Sequence, residues 1–150
     1  MEYLDSLYGQ ELNEIYGLVY LGDVSAKKQF NKNDILKILL VFNKDRLLIE
    51  CDEIGIGLKL LFNPPMLQNI KMDEFGRLEV INLSNAFDFL DFTGKILMGK
   101  RNIIYEHTHV GVSFGFYNFS DLFFINLGDE LYIYNEFPQI LLDEGYVLEY

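Results

Sequence analysis

His109-Val110-Gly111-Val112-Ser113-Phe114-Gly115-Phe116-Tyr117 is the most ordered pattern in the chain. Val110, Val112, Phe114 and Phe116 alternate with His109, Gly111, Ser113, Gly115 and Tyr117. A period of two belongs to a half-buried β-strand, because successive side chains point to opposite faces. The alternation assigns the four apolar residues to a core face and the others to an open face. Asn118-Phe119-Ser120-Asp121 reads as a turn, Leu122 to Leu127 as a returning strand, Gly128-Asp129-Glu130 as a second turn, and Leu131 to Tyr134 as a third strand. Three strands joined by short turns make an antiparallel meander. Pro138 and Gly145 then bound a short helix or loop, before a terminal strand around Tyr146 to Leu148.

Upstream, Leu4, Tyr8, Leu12 and Ile15 recur at helical spacing, with Asp5, Glu11 and Glu14 off that stripe, which predicts a short amphipathic N-terminal helix. Tyr16 to Leu21 reads as a strand, and Ser25 to Asp34, with Lys27, Lys28 and Lys32, as a basic loop. Ile35 to Phe42 and Arg46 to Cys51 flank Asn43-Lys44-Asp45 as an antiparallel hairpin. Gly55 to Phe62 supplies another strand, which Pro64-Pro65 must end because proline has no amide donor. Asp73-Glu74-Phe75-Gly76 reads as a turn before a strand over Leu78 to Leu83, and Ser84 as the cap of a short helix over Ala86, Phe87 and Leu90. The expected fold is α+β: a predominantly antiparallel β-sheet with a short N-terminal helix and one or two further short helices. With 150 residues and no linker or repeat, the chain reads as a single globular domain over 1–150.

Charge is distributed unevenly along this fold. From Asn102 to Tyr150 there is no lysine or arginine, yet this third carries eight carboxylates: Glu106, Asp121, Asp129, Glu130, Glu136, Asp143, Glu144 and Glu149. It also holds 12 of the 23 aromatic residues, and it contributes −8 of the formal charge of −11. Such a surface repels nucleic acid and anionic membrane and attracts a basic partner. Single-strand stacking platforms need a positive groove beside their aromatics, and this third has no cation. The lone Cys51 excludes an internal disulfide, and the N-terminus lacks the basic region and apolar run of a signal peptide. A cytoplasmic location is therefore expected.

Catalytic patterns are weak. Two residues apart on a strand, His107 and His109 would share a face, but two histidines without further ligands read as surface residues, and no metal or other cofactor is expected. Ser113 lies in Gly111-Val112-Ser113-Phe114-Gly115 without the strand-to-helix turn that an exposed serine nucleophile needs. Neither Gly55-Ile56-Gly57 nor Gly99-Lys100-Arg101 is long enough to cradle phosphate. Asp129-Glu130 and Asp143-Glu144 are acid and base candidates by residue type alone. The chain is accordingly read as a binding protein and not an enzyme. Its candidate partner-binding residues are Asp129, Glu130, Tyr132, Tyr134, Glu136, Asp143 and Glu144, with outward tyrosines supplying contact area beside carboxylates.

The stretch from Phe114-Gly115-Phe116 through Phe123-Phe124-Ile125-Asn126-Leu127-Gly128-Asp129-Glu130-Leu131-Tyr132-Ile133 resembles the C-terminal half of small bacterial immunity proteins found beside polymorphic or contact-dependent toxins. The resemblance implies a small cytoplasmic binder that neutralises a cognate basic toxin, often a nuclease, by covering its active site or a nearby surface. From a different class, a non-catalytic ligand-binding or regulatory module with an apolar pocket behind the sheet remains the other reading, and an enclosed cavity would favour it.

Overall fold

The computed structural model describes residues 2–22, 30–72 and 76–150. Eleven described strands form two antiparallel sheets that pack face to face. The strands are β1 (Leu12–Tyr20), β2 (Ile35–Phe42), β3 (Arg46–Cys51), β4 (Leu58–Phe62), β5 (Ile70–Lys71), β6 (Arg77–Asn82), β7 (Leu97–Tyr105), β8 (Thr108–Phe116), β9 (Asp121–Asn126), β10 (Leu131–Tyr134) and β11 (Val147–Glu149). One sheet has the order β4-β3-β2-β1-β6-β5 and the other β10-β9-β8-β7-β11. Among the described residues there is one α-helix, α1 (Gln139–Glu144). No described helix is long and apolar enough to cross a membrane.

The expected hairpin β2–β3 and the meander β8–β9–β10 are present, with antiparallel registers such as Leu40↔Leu47 and Val112↔Phe124. The core lies between the sheets. Ile15, Ile38, Leu40, Leu47 and Ile49 of the six-stranded sheet meet Val112, Phe114, Leu122, Phe124, Leu131 and Ile133 of the five-stranded one.

Four expectations need correction. The N-terminal segment forms only a 3-10 helix over Glu2–Leu7, while Leu12 and Ile15 belong to β1. Gly9, at φ +92°, separates the two. Leu12 and Ile15 both face the core because β1 has a bulge between Leu12 and Glu14, and the extra residue turns a spacing of three into one face. Ser84 does not cap a helix; its hydroxyl accepts a hydrogen bond from the Ile15 amide at 3.0 Å, and the turn that follows is a 3-10 helix over Phe87–Phe89. The strand expected from Gly55 begins at Leu58, because Asp52 gathers the amides of Gly55, Ile56 and Gly57 into a turn. The fourth correction concerns the second face of β8, which is not open. Gly111 is buried and Ser113 is 1% exposed, under a second apolar cluster of Ile103, Val110, Phe123, Ile125 and Leu141. A bulge opposite Ile103 and Ile104 turns Val110 onto this outer face, away from Val112, Phe114 and Phe116. The turn expected at Asp73-Glu74-Phe75 and the basic pair Lys27 and Lys28 lie outside the described residues.

Both outer faces are partly covered. By register, Leu18, Leu39 and Leu48 point away from the inter-sheet core, yet each is buried. β4 and β5 lie at opposite edges of their sheet, so the Asn63–Asn69 connection must cross five strand spacings, about 24 Å at ~4.8 Å each, which roughly eight extended residues can span. Pro64 is buried, and its carbonyl accepts from Arg46 Nη2 at 2.7 Å; prolines suit a segment that crosses a sheet, having no amide to satisfy there. On the other sheet, α1 starts beyond the end of β10 and delivers the chain to β11 at the opposite edge, with Leu141 packed onto Ile103 and Phe123.

Candidate functional site

In a meander, alternate turns fall at the same end. The β7–β8 turn (Glu106-His107) and the β9–β10 turn (Leu127 to Glu130) therefore share one end of the five-stranded sheet. The β3–β4 turn (Asp52 to Gly57) of the other sheet docks there through Asn126. Its side chain is buried, donating from Nδ2 to the Gly57 carbonyl at 2.9 Å and accepting from the Asp129 amide at 2.8 Å. Gly57 suits this approach, since a Cβ there would lie 2.7 Å from the His109 carbonyl oxygen. A Cβ on Gly55 would stand 3.3 Å from the Asp129 carboxylate, so that carboxylate sits against the neighbouring turn.

Carboxylates of both sheets consequently share one electrostatic neighbourhood. Cys51, at the end of β3, senses it: its thiol is pushed up to about 11, first by burial and then by the charges of Asp129, Asp52, Glu50 and Glu130 in that order. Glu53 is paired with Lys59 at 2.9 Å and Glu50 with Lys37 at 3.0 Å. Asp129 and Glu130 are exposed and have no cationic partner within 4 Å among the described residues. Tyr132 Oη donates to Glu130 Oε1 at 3.3 Å.

Beside this tip, the β7–β8 turn, the end of α1 and β11 enclose a shallow groove of about 360 Å³ that includes Glu106, His107, Glu144 and Glu149. The rings of Tyr105 and Tyr146 stack at 4.2 Å. Burial raises the Tyr146 hydroxyl, followed by Tyr105, Glu144 and Glu106. His107 occupies the turn at φ +67°, whereas His109 lies on β8, so strand parity does not place the two imidazoles on one face.

The seven residues expected to bind a partner thus separate. Asp129, Glu130 and Tyr132 form the tip, and Glu144 lies at the same end on the far side of the sheet. Tyr134 and Glu136 are at the opposite end of β10. Tyr134 is half-buried against the outer cluster, its ring 6.4 Å from that of Tyr132 and 5.2 Å from Lys32 Nζ. Lys32 is itself fixed by Asp88 at 2.6 Å and by the Ile133 carbonyl at 2.9 Å. Asp143 accepts from Gln139 along α1 at 2.9 Å. Asp121, one of the eight carboxylates of the last third, is paired with Arg101 at 2.8 Å. Sequence reasoning missed Asp52, because the contribution of the β3–β4 turn depends on a contact between sheets. The run Asp52-Glu53 before Gly55-Ile56-Gly57 was the available signal of an acidic turn.

Comparisons with protein-family models, curated proteins and solved structures give no match to this chain.

Proposed function

We propose that this chain is an immunity-type inhibitor: a non-catalytic cytoplasmic protein that neutralises a basic, nuclease-type toxin by binding it through the acidic end of the sandwich. The observation that carries the reading is the convergence of Asp52, Asp129 and Glu130 from two sheets around Cys51, with Tyr132 beside them. Burying such a tip against a cationic surface would exchange like-charge repulsion for attraction, and tyrosine supplies contact area with a polar end. The resemblance over residues 114–133 supports the same class. The rigid support of the tip also fits, since binding surfaces held in one geometry lose less entropy on association.

Co-expression with the protein encoded beside this gene tests the reading. A stable one-to-one complex with a basic toxin domain, together with relief of its toxicity, is expected. A toxic neighbour that neither binds this chain nor is neutralised by it would overturn the proposal.

A further inference from the structure

A second site follows from how the sheets overlap. β4, the edge of the six-stranded sheet, lies against β8, so β7 and β11 extend past its cover. By register, Lys100 and Asn102 of β7 share the core-side face with Phe114 and Val112. There they line a groove of about 320 Å³ together with Leu58 and Leu60 of β4, and with His109 and Val112 of β8.

The chemistry of this groove is opposite to that of the acidic end. Lys100 Nζ donates to Asn102 Oδ1 at 2.9 Å and has no carboxylate within 4 Å among the described residues. An ammonium has three donors and no acceptor, and this bond uses only one of them. Asn102 has its acceptor oxygen occupied, which leaves its amide nitrogen as the end available to a ligand. Leu58, Leu60 and Val112 supply an apolar wall. Burial lowers the Lys100 pKa, opposed by the charge of Asp5, so the ammonium carries a desolvation cost that a bound anion would offset. Nearby titratable groups are Asp5 and His109.

We infer that this groove binds an amphipathic monocarboxylate, with its carboxylate on Lys100 and Asn102 and a short aliphatic chain against Leu58, Leu60 and Val112. The carboxylate uses the unoccupied donors, and the chain covers the apolar wall exposed where β4 ends the sheet. This site is separate from the acidic end and does not depend on the immunity reading.

The test is an NMR titration of the intact protein with sodium octanoate, octan-1-ol and octylammonium. Saturable shifts are expected at the amides of Asn102, Gly111 and Val112 with octanoate, with binding at least about tenfold weaker for the uncharged alcohol and weaker still for octylammonium, whose charge the Lys100 ammonium repels. Lys100→Gln should weaken octanoate by about tenfold or more, while Lys100→Arg restores binding. Equal affinity for octanoate and octan-1-ol in the wild-type protein would overturn the inference, as would shifts centred away from this groove or octanoate binding unchanged by Lys100→Gln. The wild-type comparison remains decisive if either variant misfolds.

Discussion

Asn126 uses both ends of its amide to hold two turns from different sheets, and Gly57 allows the close approach. Asn126→Ala should destabilise the protein by about 1–3 kcal/mol, the cost of leaving buried partners unsatisfied, measured by chemical denaturation. Gly57→Ala places a carbon against a backbone oxygen and should cost a similar amount, roughly 1–3 kcal/mol of overpacking. Cys51 reports the charge around these turns. With its thiol pushed up to about 11, reaction with an aromatic disulfide reagent at pH 8 should be roughly a hundredfold slower than for an exposed thiol. Asp129→Asn with Glu130→Gln should speed that reaction by removing two of the repelling charges. The linkage sign follows from the raised value: the folded state holds the thiol proton longer than the unfolded state. This stabilisation is complete below the ordinary thiol pKa and is lost as pH rises toward about 11. Denaturation midpoints between pH 8 and 11 check it. Of the site, Asp129, Glu130 and Tyr132 were legible because a Gly-Asp-Glu turn between alternating strands advertises itself locally. Asp52 was not, since nothing local tells a turn which turn of another sheet it will meet.

Strands were legible where one face is buried without interruption, as in the β2–β3 hairpin and in β8 from Val112 onward. Bulges obscured the rest. The bulge near Leu12 imitated helical spacing, and the one at Val110 exchanged its face while leaving the sequence alternation intact. β7 escaped notice for a different reason: it lies beyond the cover of β4, so Lys100 and Asn102 stand on its core-side face and interrupt the apolar pattern. The connection Asn63–Asn69 between the two edges of the six-stranded sheet was visible only as a proline break. The burial of the outer-face leucines predicts a specific cost. Leu39→Ala removes a fully buried side chain from that face and should destabilise by about 2–5 kcal/mol in chemical denaturation. A surface leucine would show far less, so a change under about 0.5 kcal/mol would contradict the covered face.

The whole molecule is less polarised in space than along its sequence. Arg101 neutralises Asp121, and Lys32 reaches Tyr134, so the last third acquires cations from elsewhere in the fold. Asp129 and Glu130 have no cationic partner among the described residues and share one end with the docked β3–β4 turn, whereas Glu136 lies at the opposite end of β10. The proposed partner surface is correspondingly smaller than the acidic third and includes a residue from outside it. Electrostatic steering by such an end should bring association toward about 10⁸–10⁹ M⁻¹s⁻¹ at low salt and decline as salt rises. The most direct measurement is stopped-flow association with the proposed basic toxin partner, once isolated by the co-expression test, comparing the wild-type chain with the Asp129→Asn, Glu130→Gln variant. The variant should associate about tenfold more slowly at low salt, and the two rates should converge at high salt. Equal rates at low salt, with the variant still folded, would contradict the assignment of the acidic end as the binding surface.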